Sequence, residues 1–148
     1  MTLTFSPLQS SDLDQIWQIE QQAHSHPWAR KSIDDLQSRG ACHWLLRRDN
    51  HIVGYYYAQN IVGEVSLLNI AVDPKCQGQG LGKQLLQHLL EQCQSLGAES
   101  IWLEVRASNN AAYQMYLQAG FNEVDRRIGY YPADNGREDA IIMSYFLF

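Results

Sequence analysis

Asn69-Ile70-Ala71-Val72-Asp73-Pro74-Lys75-Cys76-Gln77-Gly78-Gln79-Gly80-Leu81-Gly82-Lys83, running on to Leu96, is the stretch whose reading decides the fold. Leu67 to Val72 is an apolar run with β-branched residues, and Asp73-Pro74 ends it as a turn pair. Gly78, Gly80 and Gly82 follow at alternate positions. Beyond them Leu81, Leu85, Leu89 and Cys93 recur at helical spacing, with Leu86 and Leu90 widening the stripe. That periodicity predicts one buried face of a long helix. Gly97 is its C-terminal stop. The unit is strand, glycine-rich turn, helix.

Glycines at alternate positions ahead of a helix cost stability unless the backbone must approach something closely. A helix start carries unpaired N–H groups and a partial positive charge. Together they make an anion site, most often for phosphate. The spacing excludes two common phosphate loops. A Walker A loop requires Ser or Thr after Gly-Lys, and Gln84 follows Gly82-Lys83; a full G-x-G-x-x-G requires glycine where Lys83 stands. A glycine-rich turn that merely packs is the competing reading.

Gln77-Gly78-Gln79-Gly80-Leu81-Gly82 resembles the Q/R-x-x-G-x-G/A signature of the GNAT acetyltransferases, which bind the pyrophosphate of acetyl-coenzyme A. Asn69 to Pro74, Trp102 to Asn109 and Gly136 to Met143 resemble the RimI group within that family. Those enzymes acetylate the N-terminal alanine of a small-subunit ribosomal protein. The resemblance covers nearly the whole chain and is strongest from residue 69 onward. It departs at Gly78, a position often basic in relatives, so one phosphate contact is lost from the pattern. The implied fold is α/β of the α+β type: a mixed, mostly antiparallel central sheet with helices on both faces, in a single domain over residues 1–148.

Composition agrees with that class. The 148 residues suffice for one domain with its own core. A hydrophobic fraction of 45% is ordinary for a globular protein. The net charge of −5 argues against general nucleic-acid binding and suits a basic partner. Cys42, Cys76 and Cys93 are odd in number and form no C-x-x-C pair, which points to a reducing compartment rather than a disulfide framework. Met1 to Ser10 has no basic n-region, and no apolar stretch reaches membrane-spanning length. The expectation is a soluble, cytoplasmic protein.

Taken in order, Thr2 to Leu8 reads as a strand. Ser10 or Ser11 caps a helix through Leu13, Ile16, Trp17 and Ala23. His24-Ser25-His26-Pro27-Trp28 interrupts it, and a second helix runs through Ile33 and Leu36 to Gly40. Cys42 to Arg47 and Ile52 to Asn60 are strands joined by a hairpin turn at Arg48 to His51. After the central unit come a strand at Ser100 to Val105, a helix capped by Ser108 or Asn109 and ending at Gly120, and a strand at Phe121 to Ile128. Tyr130 to Gly136 reads as a turn-rich connection, and Asp139 to Phe148 as the last strand. The first strands should pair antiparallel, and the strand–helix–strand unit around residue 80 should give a parallel pair.

Acetyl transfer to an amine needs a held thioester, a base for the amine, donors for the developing oxyanion and an acid for the leaving thiolate. The resemblance assigns the pyrophosphate to Gly78, Gln79, Gly80, Leu81, Gly82 and Lys83, the last being equally readable as a solvated helix lysine. It assigns the pantetheine arm to backbone groups of Ile70, Ala71 and Val72, which are otherwise plain strand core. Period-two alternation puts Ile101, Leu103 and Val105 on one face of their strand and Trp102 and Glu104 on the other. Glu104 is the candidate base, supported by the resemblance; an exposed glutamate paired with Arg106 fits the spacing equally. Tyr116 is the candidate acid by the same resemblance, and core filler by spacing alone. Tyr113, one turn away, is its control. Asn109 reads as a helix cap, to which the resemblance adds a coenzyme A contact. Trp28 and Tyr131 lie in aromatic, turn-rich segments that by the resemblance match the family's peptide groove and by composition read equally as loops packed on their own aromatics; Glu64, Glu138 and Asp139 could offer negative charge to a basic peptide or stand as solvated face residues. His24-Ser25-His26 lacks further ligands for a metal, so none is expected.

The resulting expectation is direct acetyl transfer from acetyl-coenzyme A, in a ternary complex, to the α-amine of the N-terminal alanine of a basic ribosomal protein, with no nucleic-acid or membrane partner. Two other readings stay open: a GNAT enzyme for another amine, such as a lysine side chain or small polyamine, and a non-catalytic domain that binds acetyl-coenzyme A.

Overall fold

The structure is a computed structural model describing residues 2–147. The chain runs β1 (Leu3–Pro7), α1 (Leu13–Ala23), α2 (Arg30–Asp34), β2 (Trp44–Arg48), β3 (His51–Ile61), β4 (Glu64–Val72), α3 (Leu81–Ser95), β5 (Ser100–Arg106), α4 (Asn110–Ala119), β6 (Asn122–Ala133) and β7 (Gly136–Phe146). One-turn 3-10 helices precede α1, at Ser10–Asp12, and α3, at Pro74–Cys76. The strands form one seven-stranded sheet in the order β1-β2-β3-β4-β5-β7-β6. Every neighbouring pair is antiparallel except β4–β5, which is parallel and connected through α3. The expected mixed, mostly antiparallel sheet is therefore present.

Helices cover both faces because β3 is apolar on both. Tyr56 and Ala58 face α3, while Tyr55 and Tyr57 face α1 and α2 among Ile16, Ile19 and Ile33. The α3 stripe is buried as its period requires, from Leu81 through Leu85, Leu86, Leu89 and Leu90 to Cys93. Each buried leucine there stabilises the fold by roughly 1.5–3 kcal/mol.

Residue Leu68 decides the shape of the site. Tyr57 pairs with Asn69 and Ala58 with Leu67, so Leu68 is an extra residue in β4, a β-bulge. A one-residue slip exchanges the two faces of everything beyond it. Before the bulge, Val65 and Leu67 face α3; after it, Ala71 joins the α1 side while Ile70 and Val72 turn to α3.

Several sequence expectations need correction. The first helix is not capped by Ser10 or Ser11. Asp12 stands at its N-cap without a side-chain bond to the helix, and its Oδ2 accepts the Gln9 N–H at 2.9 Å in a capping box that opens the preceding 3-10 turn. The second helix stops at Asp34 instead of reaching Gly40, because Asp35 turns extended and its Oδ1 accepts the Gln37 N–H. Tyr130 to Ala133 is not a turn-rich connection but the end of β6, and the turn is confined to Asp134-Asn135. The last strand begins at Gly136, and its expected end at Phe148 lies outside the described residues.

Candidate active site

The parallel β4–β5 ladder runs from Glu64↔Ser100 to Leu67↔Leu103 and stops at the bulge. Beyond Leu68, β4 still pairs with β3 through Asn69, Ile70, Ala71 and Val72, but no longer with β5. Its β5-facing backbone groups therefore open into a cleft of about 690 Å³, bounded by the start of α3, by α4 and by the loop after α1. A smaller hollow of about 360 Å³ carries Glu64, Ser66, Trp102 and Arg127. The two share Leu67, Leu68, Leu103, Glu104 and Tyr131, so Glu104 stands where they meet.

At the α3 end, Gly80 takes φ 77° as the helix N-cap, a left-handed backbone that L side chains resist. The first helical bond runs from the Gln84 N–H to the Gly80 carbonyl at 3.2 Å. The N–H groups of Leu81, Gly82 and Lys83 lie ahead of that ladder and are left for an anion. Gly78, Gly80, Leu81 and Gly82 line the cleft. Gln79 and Lys83 are exposed outside it, and Gln79 accepts a hydrogen bond from Arg48. Gly82 also serves packing, since a Cβ there would meet Met115 Sδ at 3.2 Å.

Glu104 points away from Ile101, Leu103 and Val105, as alternation predicts, and its side chain is 31% exposed. Its neighbour is Arg127, with Nη2 at 3.5 Å from Oε1. The pairing with Arg106 that the sequence left open does not form. Arg106 instead donates to Glu138 at 3.0 Å and to the Pro132 carbonyl at 2.8 Å, and stacks over Tyr131 at 4.4 Å. Glu138 is thus tied into the β5–β7 wall. Asp139 accepts the Gly129 N–H at 2.9 Å.

Tyr116 is 5% exposed and lines the cleft, and its hydroxyl takes no hydrogen bond from the described residues. Burial, with Tyr131 nearby, raises its phenol above the usual tyrosine range. Tyr113 is aimed elsewhere: its hydroxyl donates to Glu123 Oε2 at 2.9 Å, outside the cleft. Asn109 lines the cleft and caps α4, its Oδ1 accepting the Ala112 N–H at 3.2 Å. Trp28 and Tyr131 line the cleft walls, and Trp28 meets Tyr57 edge-on with centroids 5.2 Å apart. Glu64 lies in the smaller hollow.

Sequence reasoning missed Glu20. It is fully buried near the end of α1 and lines the cleft. Its Oε1 accepts from Tyr55 Oη at 2.7 Å and Asn69 Nδ2 at 2.9 Å, and its Oε2 accepts the Trp28 N–H at 2.9 Å. The available signal was its place in the apolar stripe, four residues after Ile16 and seven after Leu13. Asn69, a lone amide in an apolar strand, is its partner. His24 Nε2 lies 2.9 Å from Asn69 Oδ1, and His26 Nδ1 meets Ser25 Oγ at 3.0 Å. No group of metal-binding side chains occurs among the described residues.

An open strand edge, a helix start freed by glycine, a carboxylate and a tyrosine facing one cleft define an acyl-coenzyme A-dependent transferase site. Acetyl-coenzyme A fits it: main-chain groups of β4 can pair with an amide-bearing arm, and the α3 start can receive a pyrophosphate. The chain belongs to the GNAT acetyltransferase family, whose model matches residues 13–121. It is 43% identical over 141 residues to the [ribosomal protein bS18]-alanine N-acetyltransferase of Escherichia coli (strain K12), an alignment covering 95% of each chain. The crystal structure of the ribosomal-protein-S18-alanine N-acetyltransferase from Escherichia coli superposes with a TM-score of 0.94 at 42% identity, covering 98% of this chain and 94% of that one. Arabidopsis thaliana NAA60 in complex with acetyl-CoA shares the fold, with a TM-score of 0.86 at 20% identity over 99% of both chains. The chain is an acetyl-coenzyme A-dependent N-acetyltransferase.

Proposed function

We propose that this enzyme acetylates the α-amine of the N-terminal alanine of a ribosomal protein of the bS18 kind, acting as one domain in the cytoplasm. The observation that carries the reading is the meeting of two hollows at Glu104: the coenzyme cleft on one side and an open, partly polar hollow on the other. A peptide N-terminus entering from the second side reaches the carboxylate first. The net charge of −5 favours a basic segment as that peptide.

Bound acetyl-coenzyme A supplies an activated acyl group. The rest falls to the chain. Glu104 takes the proton of the incoming ammonium, directly or through water, so that a neutral amine is presented. Backbone N–H groups of Ile70 to Val72 polarise a carbonyl oxygen laid against β4. Tyr116 keeps its proton because it is buried, and delivers it from Oη to the leaving sulfur. Asn109 and the α3 start hold the coenzyme, and Trp28, Tyr131 and Glu64 border the peptide. Positioning of the two reactants contributes much of the rate.

Steady-state turnover with acetyl-coenzyme A tests the reading. An N-terminal-alanine peptide should outpace the same peptide with a blocked N-terminus, and spermidine, by at least about a hundredfold in kcat/KM. Equal rates on the blocked peptide or the polyamine would overturn it.

A further inference from the structure

Glu20 carries no role in the chemistry above, yet a fully buried carboxylate is costly unless several donors hold it. Here its three donors come from three other segments: Tyr55 from β3, Asn69 from the β4 bulge and the Trp28 N–H from the loop between α1 and α2. Asn69 extends the connection. Its Nδ2 donates to Glu20, so its Oδ1 is the acceptor, and His24 Nε2 at 2.9 Å is the donor. The loop wall is thus tied to the bulge twice, through Trp28 and through His24. Glu20, His24, Trp28 and Asn69 all border the cleft.

We infer that Glu20 is a positioning residue for the peptide: it clamps the Trp28 loop to the β4 bulge and so sets the width of the acceptor groove. This inference rests on the peptide reading of the site. Glu20→Gln is isosteric but loses the charge that holds three donors at once. With its oxygen toward Tyr55 and Asn69, its amide N–H meets the Trp28 N–H, donor against donor. Flipped, it holds only if the Asn69 amide and the His24 tautomer both reverse with it. The loop is released while β4 from Ile70 to Val72 keeps its pairing with β3.

The test compares wild type and Glu20→Gln by peptide KM, kcat, acetyl-coenzyme A affinity by calorimetry, and hydrogen exchange of residues 24–29. The expected result is a peptide KM raised about tenfold, coenzyme affinity within about twofold, a smaller change in kcat, and about tenfold faster exchange in the loop. An unchanged peptide KM with unchanged exchange would overturn the inference, as would a parallel loss of coenzyme affinity. If Glu20→Gln does not fold, Asn69→Ser, too short to reach Glu20 or His24, serves in its place with the same two outcomes. If wild type itself leaves the peptide unmodified, the peptide reading fails, while the exchange comparison still decides whether Glu20 clamps the loop.

Discussion

Leu67 and Leu103 form the last rung joining β4 to β5, and the extra residue Leu68 follows at once. The opening of the sheet and the change of face in β4 have the same cause. Deleting Leu68 would remove the bulge while leaving Asn69 and Ala71 on the α1 side, and would let β4 follow β5 beyond Leu67 and close the cleft. The expected outcome is a protein that has lost acetyl-coenzyme A binding in calorimetry and several degrees of Tm. A deletion variant that binds normally would show that the bulge is incidental.

Tyr116 and Tyr113 separate chemistry from packing. Tyr116→Phe should reduce kcat by about a hundredfold or more with coenzyme affinity kept, as for loss of a general acid. Tyr113→Phe removes only the exposed bond to Glu123 and should stay within about twofold of wild type. Comparable losses in the two variants would remove Tyr116 from its role.

Glu104→Gln should lower kcat about a hundredfold or more at neutral pH, with part of the rate recovered as pH rises and more of the free amine is neutral. Arg127→Ala should change kcat little, because Arg127 is half exposed and its attraction to Glu104 is screened. A large loss in Arg127→Ala would assign the guanidinium a direct part.

Alkaline stability follows from buried acids. Burial pushes the Cys93 thiol up to about 12 from an ordinary 9.0. It also raises Tyr55, Tyr56 and Tyr57 above the tyrosine range. For a group raised on folding, the folded state holds the proton longer than the unfolded one. Its stabilisation is complete below the unfolded pKa and lost as pH rises through the folded one. Urea midpoints should therefore be insensitive to these groups below pH 9.0 and fall steadily from there toward about pH 12. A flat profile across that window would contradict the assigned burial.

Glycine at the head of α3 is required for two different reasons. Gly80→Ala meets open space and costs only its left-handed backbone, about 1 kcal/mol. Gly82→Val drives a branched side chain toward Met115 and should cost more, about 1–3 kcal/mol, besides weakening coenzyme binding. Chemical denaturation of the two variants checks the order, and reversal of that order would place the constraint at Gly80.

Much of this was legible because it is periodic. The α3 stripe, the alternation that turns Glu104 away from Leu103, and the cap at Asn109 are local patterns, and each is found as read. What was not legible depends on distant partners. Tyr131-Pro132 reads as a turn, but β6 is an edge strand, where proline's missing N–H is tolerated, and Pro132 stands opposite Arg137. The second helix reads long from Ile33 and Leu36, yet the side chain of Asp35 diverts the backbone. Glu20 falls in the apolar stripe of α1, but nothing near it in sequence shows the partners that hold it, because Tyr55, Asn69 and Trp28 are brought against it from other segments. The β4 bulge has no signature at all, because Leu68 suits a regular strand equally well.

Tandem mass spectrometry of one reaction tests the central claim most directly. The enzyme is mixed with acetyl-coenzyme A and a basic peptide that carries a free N-terminal alanine and an internal lysine. The account predicts a single acetyl group on the α-amine, absent with Glu104→Gln over the same time. Acetyl on the lysine, or an unmodified peptide beside an enzyme saturated with coenzyme, would contradict it.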